Sequence, residues 1–125
     1  MRVDGTKIYM TRGDSESITV SASTKIGNIR TPRPFGEGDT IEMTVRQFPS
    51  SPSVAMHKTV TEFTEDGKAV IAIDPADTAD LSFGTYSYDI QLTDADGGVH
   101  TIVRPSEFIV GEEDTYGEDS FDIFD

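Results

Sequence analysis

Apolar and polar residues alternate with a period of two along most of this chain. Because successive strand side chains point to opposite faces, that pattern predicts β-strands with one face in a core and one in solvent. The clearest case is "YSYDIQLT" (86 to 93), where Tyr86, Tyr88, Ile90 and Leu92 share one face and Ser87, Asp89, Gln91 and Thr93 the other. "ESITVSAS" repeats it with Ile18, Val20 and Ala22, and "DTIEMTV" with Ile41, Met43 and Val45. "TKIYMT", "VAMHKTVTEF" (54 to 63), "KAVIAID" (68 to 74) and "VHTIVRPSEFIV" (99 to 110) follow it less regularly, which brings the predicted strands to seven. In the last of these Pro105 has no N–H to donate, so the strand should break, bulge or lie at an edge there.

Gly, Pro, Asp and Ser punctuate the strands about every ten residues. "RGDS" after the first strand, "TEDG" (64 to 67) and "DADGG" (94 to 98) read as hairpin connections, since Asp can bond to its own local backbone and Gly admits positive φ. "DPADTADL" (74 to 81) departs from strand grammar: Asp74 can cap a helical turn, Pro75 fits its first position, and Asp77 suits the positive end of the helix dipole. "TKIGNIRTPRPFGEG" (24 to 38), interrupted by Pro32, Pro34, Gly36 and Gly38, reads as a long irregular loop carrying Lys25, Arg30 and Arg33. The predicted fold is all-β, an immunoglobulin-like β-sandwich of about seven antiparallel strands with a short helical corner near 75 to 81. "LSFGTYSYDI" supports it, because Gly84, Tyr86 and then a core residue at Tyr88 have the spacing of a tyrosine corner.

Composition adds two constraints. With 125 residues the chain suits one domain able to bury most of its surface, and with no cysteine it must hold by packing, without disulfides or thiolate metal sites. The start, "MRVDGTKIYM", has no apolar stretch of signal-peptide length, and no run is long enough to cross a bilayer, so a soluble product made in the cytoplasm is expected. The 23 acids and 10 bases give a net charge of −13, which disfavours nucleic acid and anionic membranes as partners. Seven of the acids lie between Glu112 and Asp125, where no base occurs, while residues 1 to 110 carry 16 acids against 10 bases. The chain therefore divides into a sandwich (1 to 110) and an acidic-aromatic tail (111 to 125).

Candidate chemistry is sparse. Arg12-Gly13-Asp14-Ser15 spells a known cell-adhesion tetrapeptide, yet it sits between two short strands with barely enough residues to reverse the chain. The turn reading is preferred, with Gly13 supplying backbone freedom and Asp14 and Ser15 local hydrogen bonds; Arg12 is the residue there placed to touch a neighbouring subunit. Two clusters could gather calcium ligands, Asp74, Asp77 and Asp80 on the helical corner and Asp94 and Asp96 in "DADGG". The second lacks the third oxygen ligand and the bidentate Glu of a calcium loop, and capping or turn formation explains both, so no metal or other cofactor is predicted. His57 and His100, the only neutral-pH bases, fall within predicted strands, and no nucleophile elbow, phosphate loop or His-Glu-x-x-His pair occurs. The chain is read as non-enzymatic. The tail interleaves its acids with Tyr116, Phe121, Ile123 and Phe124, a composition suited to an interaction arm as well as to a solvated end.

The strings "TRGDS", "FGEGDTIEMTV", "IDPADTADLSFGTYSYDIQL" and "DGGVHTIVRPSEFIV" resemble the short immunoglobulin-like structural proteins found in tail and baseplate gene clusters of phages and prophages of Gram-positive bacteria. More distantly, they are similar to the amino-terminal domain of phage baseplate upper proteins. The likeness covers about residues 6 to 110 and is strongest from 73 to 110. It implies a virion component, made in the bacterial cytoplasm, that builds or decorates a tail, baseplate, fibre or capsid through contacts with other virion proteins and with copies of itself. It also implies that Gly13-Asp14 is a recurring turn and that Asp89 and Thr101 are pattern positions; the acidic-aromatic tail departs from it. A carbohydrate-binding or host-adhesion module that grips cell-surface glycan is the alternative, with Tyr9, Phe35 and Phe48 as the aromatics expected outside the core.

Overall fold

A computed structural model describes residues 1–112 and 122–124. The chain is mostly β-strand with one short helix: β1 (Arg2–Asp4), β2 (Lys7–Thr11), β3 (Glu16–Ser21), β4 (Ser23–Ile26), β5 (Ile29–Pro32), β6 (Thr40–Arg46), β7 (Val54–Val60), β8 (Ala69–Ile73), α1 (Pro75–Ala79), β9 (Gly84–Thr93), β10 (Val99–Gly111) and β11 (Asp122–Phe124). Each of the seven predicted segments contains a strand, and four short strands, β1, β4, β5 and β11, are additional.

β1, β2, β10, β9, β6 and β7 lie side by side in one six-stranded sheet. All its pairings are antiparallel except β2 with β10, where Ile8 stands beside Phe108 and Met10 beside Val110 in parallel. A second sheet runs β11-β3-β8, and β4 and β5 form a separate two-stranded ribbon. β3 pairs antiparallel with β8 and parallel with β11. Of the three turns expected to close hairpins, only "DADGG" does so, joining β9 to β10. The segments 12 to 15 and 64 to 67 instead carry the chain from one sheet to the other. Turn chemistry reverses the chain equally well in both settings, so these residues could not say which sheet the next strand would join.

The pleat delivers the predicted faces. In β6 buried and half-buried positions alternate through its length, and Ile41, Met43 and Val45 are the buried ones. Ile18 and Val20 of β3 and Ile71 and Ile73 of β8 meet them from the other sheet in one continuous core. Tyr88 and Phe108, on paired strands, touch edge to face with ring centroids 6.2 Å apart, a geometry that suits the opposed charges of ring face and edge. Phe108 is fully buried, which contributes roughly 1.5–3 kcal/mol. The Tyr88 hydroxyl donates to the carbonyl of Thr6, so the polar tip of a buried ring is satisfied. Burial also raises the pKa of that hydroxyl well above the ordinary tyrosine range, keeping it a donor.

Two local expectations are met in detail. β10 loses register with β9 on either side of Val103, just before Pro105, where a proline cannot donate to the ladder. At the tyrosine corner the Tyr86 hydroxyl donates to the carbonyl of Ser82 at 2.9 Å.

Candidate interaction surfaces

The Arg12–Ser15 turn is tied down at several points. Gly13 has φ +84°, a conformation that costs most residues strain and glycine little. Its N–H donates at 2.8 Å to Oγ1 of Thr78, a fully buried hydroxyl on α1, and the Arg12 N–H donates at 3.0 Å to the carbonyl of Gly111. The Arg12 guanidinium lies 4.1 Å from the centre of the Phe83 ring and donates at 3.3 Å to the carbonyl of Leu81. Arg12, named as the residue placed to touch a neighbour, is exposed and stacks on Phe83 of its own chain. Asp14 and Ser15 are exposed, and the reversal is closed by the Asp14 N–H donating to the carbonyl of Thr11 at 3.3 Å. That bond is backbone to backbone, where side-chain bonds were expected.

α1 holds Thr78 in place. The Asp77 carboxylate accepts the N–H of Asp74 at 2.7 Å and meets the Lys58 ammonium at 2.6 Å. Burial pushes the Asp77 pKa up, but Lys58 and the Asp74 N–H outweigh it and leave it below the ordinary carboxylate range. In the β9–β10 turn, Asp94 Oδ1 accepts the N–H groups of Asp96 and Gly98 at 3.0 and 2.9 Å, while Oδ2 lies 3.0 Å from Nε2 of His100. His100 and then the Gly98 N–H lower the Asp94 pKa. Asp77 and Asp94 therefore work as a cap and a turn former, and Asp80 ends α1 as its C-cap. Among the described residues no three or more potential ligands lie close enough together to hold a metal ion.

Both histidines face solvent beside carboxylates, His57 Nε2 lying 2.9 Å from Glu42 Oε2. Asp89 is half-buried on β9. Desolvation raises its pKa, and Arg46 partly offsets this. Thr101 is exposed on β10 opposite Gln91.

The segment expected as an irregular loop contains instead the β4–β5 hairpin, with Ile26 opposite Ile29 across Gly27-Asn28. Ile26 is 76% and Ile29 71% exposed, the two most exposed large apolar side chains among the described residues. Lys25 and Arg30 face each other one step down the ribbon. The foot of the hairpin is tied by a side-chain network: Arg33 donates to Asp39 in two bonds of 2.7 and 3.2 Å, and Asp39 also accepts the Gly36 N–H at 2.9 Å. Those contacts, Arg33 first, hold the Asp39 pKa below the ordinary range despite its burial. Phe35, expected outside the core, is buried with its ring centroid 5.5 Å from that of Phe63. Its N–H donates at 2.9 Å to the carbonyl of Gly67, where a Cβ would fall 2.3 Å from Pro34 Cβ.

A basic hairpin with an apolar tip, on a chain of net charge −13, is the surface that sequence reasoning missed. Tyr116 and Phe121 lie outside the described residues. Phe124 is placed by its backbone beside Ser21 of β3. No protein-family model and no curated protein matches the chain.

Proposed function

We propose that this chain is a non-enzymatic structural component of a phage virion, an immunoglobulin-like sandwich that assembles through contacts with other virion proteins and with copies of itself. The observation that carries the assembly reading is the β4–β5 hairpin. Two opposed isoleucines more than 70% exposed, between Lys25 and Arg30, present an apolar, cationic tip to a partner. Exposed apolar surface rimmed by charge is typical of protein contacts. The phage setting rests on the resemblance of residues 6 to 110 to tail and baseplate proteins. The immunoglobulin-like reading is supported by strand order: β3 and β8 face a sheet in which β9 lies between β6 and β10, and the Tyr86 corner opens β9.

Negative-stain images of virions labelled with an antibody against the chain are the test. Label at one defined position on the particle is the expected outcome, and absence of the chain from purified particles would sink the proposal. Glycan binding has less to stand on. Phe35 is buried, Tyr9 is half-buried and the Phe83 ring carries Arg12, so among the described residues Phe48, at 51% exposure, lacks a second open ring to complete a platform. A specific hit on a glycan array would reverse this ranking.

A further inference from the structure

Among the described residues the most exposed large apolar side chains are Ile26, Ile29 and then Val99, the last at 60%. The isoleucines tip the hairpin, and Val99 opens β10 just past the β9–β10 turn. A cleft of about 240 Å³ joins the two elements, with Ser23 and Thr24 of the hairpin on one side and His100 and Thr101 of β10 on the other. Thr24, Ile26 and Ile29 share one face of the ribbon, because alternate strand residues and cross-strand partners lie on the same side. The apolar face of the hairpin is therefore the one turned toward β10.

Charge divides between the two elements. On the hairpin, Lys25 and Arg30 are exposed, and neither forms an ion pair among the described residues. At the β9–β10 turn, Glu37 and Asp96 are exposed and equally without an ion pair there. These two acids are held near each other, since Gly38 approaches the turn so closely that a Cβ on it would fall 2.6 Å from that of Ala95. We infer that this end of the molecule pairs with a second copy of the chain about a two-fold axis, each hairpin lying against the Glu37, Asp96 and Val99 rim of the other. The inference rests on the reading of the hairpin as an assembly surface, and it names the partner. A two-fold contact has to be self-complementary, and a cationic half beside an anionic half meets that condition. The rotation brings Lys25 and Arg30 onto Glu37 and Asp96 in both directions, and Ile26 and Ile29 onto Val99. Each copy carries a net charge of −13, so two copies repel over most of their surface and can meet where one end supplies its own counter-charge.

Sedimentation velocity of the full chain at low salt tests this with two charge reversals, Lys25→Glu with Arg30→Glu, and Glu37→Lys with Asp96→Lys. The wild-type chain is expected as a dimer. Either reversal alone should weaken it on the order of a hundred-fold, because attractions become repulsions in both symmetric halves of the contact. Mixing the two variants in equal amounts should restore a dimer containing one of each, which also shows that both remain folded. A hairpin variant that is monomeric while the Glu37 and Asp96 variant still dimerises would put a different surface opposite the hairpin; that overturns the two-fold pairing and leaves the assembly reading standing. Dimers that persist in both variants would overturn the pairing and the hairpin's role in assembly together. A monomeric wild-type chain, or variants that stay monomeric when mixed, would overturn the pairing.

Discussion

The Arg12–Ser15 turn and the Ser23–Pro32 hairpin are opposites in what they advertise and what they present. The turn spells an adhesion signal, yet its backbone is bonded to Thr78 and Gly111 and its arginine rests on Phe83. The hairpin spells nothing, yet it carries Ile26 and Ile29 into solvent between basic side chains. A short motif states which groups are present; only their partners in the fold decide which are free to meet another molecule.

The contrast can be broken from either side. Gly67→Ala attacks the seat of the hairpin, because φ is +77° and the new Cβ would press on Pro34. It should cost about 3 kcal/mol, combining backbone strain with overpacking, read as a drop in the urea midpoint. Thr78→Val attacks the anchor of the turn. It keeps the volume but leaves the Gly13 N–H without its acceptor, for a loss of about 1–2 kcal/mol in the same measurement. Asp14→Glu should leave that midpoint unchanged, since the exposed Asp14 side chain forms no bond that closes the turn.

Acid loosens both regions. Asp39 at the hairpin foot and Asp77 beside Thr78 have pKa values below the ordinary carboxylate value, so the unfolded chain takes up protons first. Their contribution is complete above the unfolded carboxylate pKa of about 4 and is lost as pH falls through the lower folded values. Asp89 has the opposite sign, because its pKa is raised, and protonation relieves part of its cost. The urea midpoint should therefore fall on acidification below about pH 4, and an Asp39→Asn variant should show a shallower fall. A small effect on stability is expected at the hairpin tip. Ile26→Ser with Ile29→Ser should change the unfolding free energy by less than about 0.5 kcal/mol, while removing association seen by light scattering.

Strands were legible where one face is buried. Ile41, Met43 and Val45 announce β6 because burial on one side imposes a period of two on the sequence. β4 and β5 escaped because every residue from Thr24 to Pro32 is exposed, so no face selects apolar residues. The signal that remained was Gly27-Asn28 between matched isoleucines, a two-residue hairpin turn. Of the candidate site residues, Gly13, Tyr86 and Tyr88 could be placed from local spacing alone. The partners of Arg12 could not, since Phe83 lies 71 positions away and faces it only after the sheets have packed.

The parallel pairing of β2 with β10 also has a meaning in time. β2 (Lys7–Thr11) gains its parallel neighbour only when β10, which ends at Gly111, comes to lie beside it. Thr6 waits as long for Ser106, which it meets across 100 positions. Until that loop closes β2 has only β1 beside it, and closing so long a loop makes folding slow, on the order of milliseconds to seconds. Ile8 and Met10, fully buried in the folded chain, are then apolar surface that has no cover on that side until β10 docks.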